Sequence, residues 1–195
     1  MTTKTANKTF KTSLEPVTLE KANEAQKPHL ENAHKQTGMI PNMYKNMVNS
    51  PGLMETYAVG YDNFRKNSGF TPVEQEVVFV TVSIANGCEY CAAAHSFIAD
   101  NMSKVPVEVT DAIREGREIP DAKLSALSKF TRIMFDKRGN PTHEEVEEFL
   151  QAGYEEKHIM EIILALAVKT LSNYSNHIFH TDLDEVFSGR AWRKG

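Results

Sequence analysis

Thr71-Pro72-Val73-Glu74-Gln75-Glu76-Val77-Val78-Phe79-Val80-Thr81-Val82-Ser83-Ile84-Ala85-Asn86-Gly87 is the stretch that decides the architecture. It opens on a capping box: a hydroxyl at the N-cap, proline at N1 and glutamate at N3. Val73, Val77, Val80 and Ile84 then recur at i, i+4, i+7 and i+11, the spacing of one helical face. The run from Val77 to Val82 is rich in β-branched residues, so a strand is the competing reading. Its length and its start signal favour a buried helix, and Asn86-Gly87 supplies a left-handed stop.

Helical signals continue on both sides. Upstream, Thr18 to Gln36 is a polar segment closed by Gly38, Pro41 to Asn49 is a short segment between prolines, and Pro51 to Lys66 sets Leu53, Tyr57, Tyr61 and Phe64 at helical spacing. Downstream come Cys88 to Asp100, Pro106 to Glu115, Asp121 to Lys137, Thr142 to Ala152 and Glu155 to about His180, separated by Gly and Pro signals. The last carries the most apolar stripe: Ile159, Ile162, Ile163, Leu166 and Leu171. No strand alternation competes, so the expected fold is all-α, a compact array of about seven to nine helices. Residues 1–15 read as a loose N-terminal tail and residues 16–195 as one helical domain.

Bulk properties exclude several classes of function. The chain has 195 residues, is 41% hydrophobic and 25% charged, and carries a net charge of −4. That charge offers no electrostatic case for nucleic acid, and no basic block argues for a membrane surface. No apolar run reaches the length of a membrane span, and the N-terminus lacks the apolar core of a signal peptide. A cytoplasmic protein is the expectation. Two cysteines in a chain of this size are not a disulfide scaffold.

Those two cysteines carry the chemistry. Cys88-Glu89-Tyr90-Cys91-Ala92-Ala93-Ala94-His95 places both in a C-x-x-C spacing with a histidine four positions on. On a helix Cys88, Cys91 and His95 stand at about 0°, 300° and 340°, all on one face. Both sulfurs sit at a helix start, where unpaired N–H groups and the helix dipole favour the nucleophilic thiolate. A disulfide between them would be small, looks exposed, and is a better redox couple than a staple. His95 can take a proton from a thiol and return it near neutral pH.

A carboxylate completes the set. The helix before Asn86-Gly87 must run back antiparallel to the cysteine helix. Glu76 then lies ~15 Å before the turn and His95 ~12 Å after it, at similar height on neighbouring helices. Glu76 also falls between Val73 and Val80 on the apolar stripe, where a carboxylate needs a partner. Glu76 holding His95, and His95 serving the sulfurs, is a proton relay. A structural zinc site is the rival: Cys88, Cys91 and His95 give three ligands, and His177 or His180 could be a fourth. Buried inert thiols are the bland alternative. Tyr90 fits packing better than proton transfer, because a phenol titrates near pKa ~10. Asn176 and His177 fit capping or pocket lining.

At Glu76, Cys88, Cys91 and His95 the sequence resembles the AhpD-like alkylhydroperoxidase family of the carboxymuconolactone decarboxylase superfamily. That family's motif is a glutamate, eleven intervening residues, C-x-x-C, three residues and a histidine, and all spacings match here. Ile40-Pro41-Asn42 and Asn173-Tyr174-Ser175-Asn176-His177 also resemble its peroxidase-related branch. The resemblance implies an all-helical fold, a homo-oligomer and cofactor-free reduction of hydrogen peroxide or organic hydroperoxides. It implies that Cys91 attacks the peroxide and becomes a sulfenic acid, that Cys88 resolves it to a disulfide, and that Glu76 and His95 move protons. It further implies an external dithiol reductant, lipoyl-type or thioredoxin-like. One position departs: the best-known members carry histidine just before the second cysteine, and Tyr90 stands here. Dithiol–disulfide exchange or redox sensing therefore stays open beside peroxidase activity.

Overall fold

The computed structural model describes residues 9–194. Among these the chain forms nine α-helices and no strand: α1 (Lys27–Thr37), α2 (Asn42–Met47), α3 (Pro51–Asn67), α4 (Pro72–Asn86), α5 (Glu89–Ile98), α6 (Val107–Glu115), α7 (Ala122–Asp136), α8 (His143–Gln151) and α9 (Glu156–Phe179). A π-helical turn, Ala99–Ser103, prolongs α5, and a 3-10 segment, Glu185–Arg190, follows α9.

The β-branched run is helical, and it is the hub. Its start is fixed by the capping box: the Glu74 N–H donates to Thr71 Oγ1 at 3.3 Å and the Thr71 N–H donates to Glu74 Oε2 at 2.9 Å. Every residue from Glu74 to Ser83 is buried, because α5, α6, α7 and α9 pack around α4. A helix buried on all sides needs apolar residues all round, which explains the strand-like run Val77–Val82. Phe79 packs on Phe64 of α3 with ring centroids 4.7 Å apart and stacks on Tyr61 at 5.4 Å. Met43, Met47 and Met54 are all buried in this core. A second capping box, Thr142 with Glu145, starts α8.

Two helical expectations change. The segment predicted as helix from Thr18 becomes α1 only at Lys27. The Asn23 side chain accepts from the N–H groups of Ala25 and Gln26 at 3.0 Å each, a local turn that competes with helix hydrogen bonding, and Pro28 then favours a fresh start. In α9 the apolar stripe is only part of the buried face, with Ile159, Leu166 and Leu171 half-buried against the core. Ile162 is buried, but Ile163 is 43% exposed, while the interior side continues through Lys169, Ser172, Asn173 and Asn176. Of the expected tail, residues 1–8 lie outside the described residues. Within the rest, the Thr12 N–H donates to the Ile178 carbonyl at 2.9 Å.

The connection from α4 to α5 positions the site. Gly87 has φ 67°, and the N–H groups of Gly87 and Cys88 donate back to Ile84 and Ser83 at 2.9 Å each, closing α4 in one residue. The chain therefore reverses at once, and α5 runs antiparallel against α4. A methyl group at Gly87 would meet the flexible Lys194 side chain at 2.7 Å, besides straining the left-handed backbone. We expect Gly87→Ala to cost about 1–2 kcal/mol of stability, read as a lower urea midpoint with an unchanged m-value.

Candidate active site

Cys88 is the N-cap of α5, in an extended conformation (φ −88°, ψ 99°), and Cys91 lies one turn inside the helix. The first cysteine is thus outside the helix proper, where a helical start had been expected to hold it. Its carbonyl accepts from the Ala92 N–H at 2.9 Å, so it still begins the helical ladder. Both cysteines are free thiols. The expectation of an exposed pair is not met: Cys88 is 1% and Cys91 2% exposed. The cover comes from the inner face of α9 and from tyrosines of α2 and α3. Tyr44 and Tyr57 stand near enough for the Cys91 charge to be felt at their phenols, although burial is the main cause of their raised pKa values.

One turn beyond Cys91, His95 meets Glu76 across the helix pair: His95 Nδ1 lies 2.9 Å from Glu76 Oε2. Glu76 is completely buried, and its second oxygen is paired with the Arg65 guanidinium of α3. Arg65 is itself positioned by the Tyr61 hydroxyl at 2.7 Å and by Gln75 Oε1 at 3.2 Å. Burial works to raise the Glu76 pKa, but the charges and hydrogen bonds of His95 and Arg65 outweigh it and hold the carboxyl below its usual range. Burial, then the positive charge of Lys169, push His95 down, against the pull of Glu76. A neutral imidazole facing a carboxylate carries its proton on Nδ1, since the carboxylate only accepts. Nε2 is then available to take a proton.

The third wall is α9. Lys169, Ser172 and Asn176 recur at i, i+3 and i+7 and so share one face. Asn176 Nδ2 donates to Cys91 Sγ at 3.3 Å and approaches Cys88 Sγ at 3.8 Å. Ser172 Oγ lies 4.0 Å from Cys91 Sγ. Lys169 is completely buried, its Nζ has no hydrogen-bond partner among the described residues, and it sits 5.5 Å from the Phe79 ring centroid. The two thiols are driven apart by this environment. Burial opposes charge on Cys91, yet the hydrogen bond from Cys88 and the charges of Lys169 and His95 pull its pKa well below the ordinary thiol value. The same bond to Cys91, together with burial, pushes the Cys88 thiol up. The surroundings thus favour the thiolate at Cys91 and the thiol at Cys88.

Tyr90, between the cysteines, turns away from the sulfurs. Its hydroxyl donates to the Asp184 carboxylate, and its ring meets Phe187 edge-on at 6.1 Å. Burial and the adjoining Asp184 raise its pKa, so it serves as an anchor rather than a proton carrier. His177 and His180 are exposed, and His177 stacks on Tyr174. Neither extends the Cys88, Cys91, His95 set toward four metal ligands, and among the described residues no group of three or more His, Cys, Asp or Glu side chains is arranged to hold a metal ion. A surface groove lies elsewhere, between α3 and α9, lined by Val59, Gly60, Leu164 and Leu171.

Residues 51–128 match the model of the carboxymuconolactone decarboxylase family, a segment that contains Glu76, Cys88, Cys91 and His95. The fold is similar to the alkylhydroperoxidase AhpD core of a peroxidase-related protein from Ralstonia eutropha JMP134, with TM-score 0.78, 21% identity and coverage of 89% of this chain and 93% of that one. It is similar as well to a peroxidase-related protein from Silicibacter sp. TM1040, with TM-score 0.76, 18% identity and coverage of 92% and 97%. A third similar structure is the debrominase Bmp8 in complex with 2,3,4-tribromopyrrole, with TM-score 0.73, 16% identity and coverage of 94% and 97%. No match is found among curated proteins. The fold as a whole is thus AhpD-like, and residues 51–128 carry the carboxymuconolactone decarboxylase family match.

The structure adds Arg65, Tyr61, Lys169 and Ser172 to the residues named from sequence. Lysine at 169 carried a readable signal: it interrupts the most apolar helix between Val168 and Leu171. Replacing one partner of a buried ion pair strands the other. We expect Glu76→Gln to cost about 3 kcal/mol at pH 7, measured by urea denaturation. Because the folded-state pKa of Glu76 is depressed, its stabilisation is present above the ordinary carboxylate value of about 4.3 and is lost as pH falls further. The variant should therefore show a shallower loss of stability on acidification below that pH.

Proposed function

We propose that this protein is a cysteine-based peroxidase that reduces hydrogen peroxide or organic hydroperoxides. The observation that carries this reading is the buried Glu76–His95 contact one turn from two adjacent thiols, with the Asn176 amide donating to Cys91 Sγ. Cys91 thiolate attacks the outer oxygen of the peroxide; the S–O bond forms, the O–O bond breaks, and the departing alkoxide or hydroxide takes up a proton. Cys88 thiol then attacks the Cys91 sulfenic acid. The S–S bond forms, His95 takes the Cys88 proton on Nε2, and the departing hydroxide receives it to leave as water. Glu76 and Arg65 hold the imidazole in the tautomer that makes this transfer possible.

Burial supports a small electrophile over a folded disulfide partner, since both sulfurs are almost fully covered. It also favours a slender external dithiol, of lipoyl type, over a thioredoxin-like protein as the reductant that regenerates the thiols by exchange. A homo-oligomer belongs to the same reading: Met160, Ile163, Tyr174 and Ile178 remain exposed on α9 and suit an apolar contact between copies. Two free thiols fit a reducing, cytoplasmic setting.

Cys91→Ser should abolish peroxide consumption, and Cys88→Ser should give one round of sulfenate, trapped with a dimedone-type reagent and seen by mass spectrometry, without turnover. Normal steady-state rates in both variants would defeat the scheme. Rapid loss of two thiols on peroxide addition, recycled by a dithiol, separates a peroxidase from a disulfide-exchange protein.

A further inference from the structure

Lys169 has no role in the relay just described, yet its placement is costly. A lysine side chain is almost never fully buried unless paired, and an isolated ammonium in a core is strongly unfavourable. Lys169 is 0% exposed and its Nζ makes no hydrogen bond among the described residues. Of the groups around the sulfurs, Glu76 of α4 is committed to His95 and Arg65. Tyr44 of α2 and Tyr57 and Tyr61 of α3 are phenols whose ionisation burial suppresses. His95 of α5 is neutral or positive, Arg65 of α3 is positive, and Cys88 keeps its proton. That leaves the Cys91 sulfur as the negative partner, on the face where Ser172 and Asn176 of the same helix already reach it.

Oxidation then creates a difficulty. Disulfide formation removes the charge of Cys91, and Lys169 would be left as an unpaired buried cation. The difficulty vanishes if the proton leaves together with the thiolate's charge. We propose that Lys169 is the general acid of peroxide cleavage: its Nζ is the counter-charge of Cys91 thiolate and hands its proton to the leaving oxygen. This step rests on the peroxidase reading above. Thiolate, ammonium, Cys88 thiol and hydroperoxide go to disulfide, neutral amine, alcohol and water. Peroxide takes the two electrons that the sulfurs lose. Total charge is zero before and after, and no proton crosses to solvent during oxidation. Reduction by the external dithiol delivers two protons with its two electrons, and ionisation of Cys91 restores the ammonium. His95 is kept for the second step, where Cys88 must lose its proton.

The test separates charge from proton transfer. Lys169→Arg retains a cation that does not release a proton, and Lys169→Met removes both. Two oxidants are compared in single turnover: cumene hydroperoxide, whose leaving alkoxide needs a proton, and peracetic acid, whose leaving carboxylate does not. We expect Lys169→Arg to react about 100-fold more slowly with the hydroperoxide and to stay close to wild type with the peracid. In a Cys88→Ser background the pH profile of Cys91 alkylation by iodoacetamide should be unchanged in Lys169→Arg and displaced to higher pH in Lys169→Met. An unaltered profile in Lys169→Met overturns the ion pair. Equal losses with both oxidants, or a full hydroperoxide rate in Lys169→Arg, overturn the general acid while leaving the peroxidase reading intact. A wild type inert to both oxidants overturns the peroxidase reading and the step together. Circular dichroism of each variant confirms that the helical fold is retained before rates are compared.

Discussion

A carboxylate with no solvent exposure must be neutralised or paired, and Glu76 is paired twice. One oxygen meets Arg65 and the other His95, so three helices are tied at a single side chain. This constraint fixes more than charge. It sets the height at which α5 lies against α4, orients the imidazole, and aligns α3 so that Tyr61 stacks on Phe79 behind it. The surrounding aromatic packing excludes water and raises the cost of breaking the contact. The dithiol is then presented one turn away, in an environment already organised by ions.

The rest of the site follows from a division between the two sulfurs. Identical residue types three positions apart are pushed in opposite directions because Cys88 donates a hydrogen bond that Cys91 receives, and because α9 contributes its charge and amide on the Cys91 side. The interior of α9 is polar where it faces this pair and apolar where it faces the rest of the core. A helix of high overall hydrophobicity thus turns its exposed side toward solvent with Met160 and Ile163 still on it.

What could be read from sequence was whatever one tight turn makes local. Glu76, Cys88, Cys91 and His95 lie on two consecutive helices joined by Gly87, so counting residues from the turn converts directly into height, and the Glu76–His95 contact was legible. The capping boxes at Thr71 and Thr142 were legible for the same reason. Lys169 stands out within an apolar helix, but its place beside Cys91, like that of Ser172, was not legible, because more than seventy positions separate them from Cys91 and a lysine on a helix is ordinarily solvated. Arg65 was hidden likewise among the polar residues that end α3. The burial of the sulfurs was also invisible, since it depends on how α9 and the α2–α3 tyrosines close over α5. The start of α1 was misplaced because the side chain of Asn23 offers its backbone a turn that composition does not reveal.

The outer side of the cysteine turn has a bearing on movement. Tyr90 is tied to Asp184, whose carboxylate also accepts from the Asn42 N–H at 3.1 Å, and Glu89 is tied to Arg193 at 2.6 Å. The opening turn of α5 is therefore clamped from behind, with Cys91 riding on it. Cys88 stands outside that clamp, on extended backbone next to a left-handed glycine. In the proposed cycle, closing the two sulfurs to bonding distance is then a journey for Cys88: Cys91 is the fixed post, and its neighbour is the swinging latch.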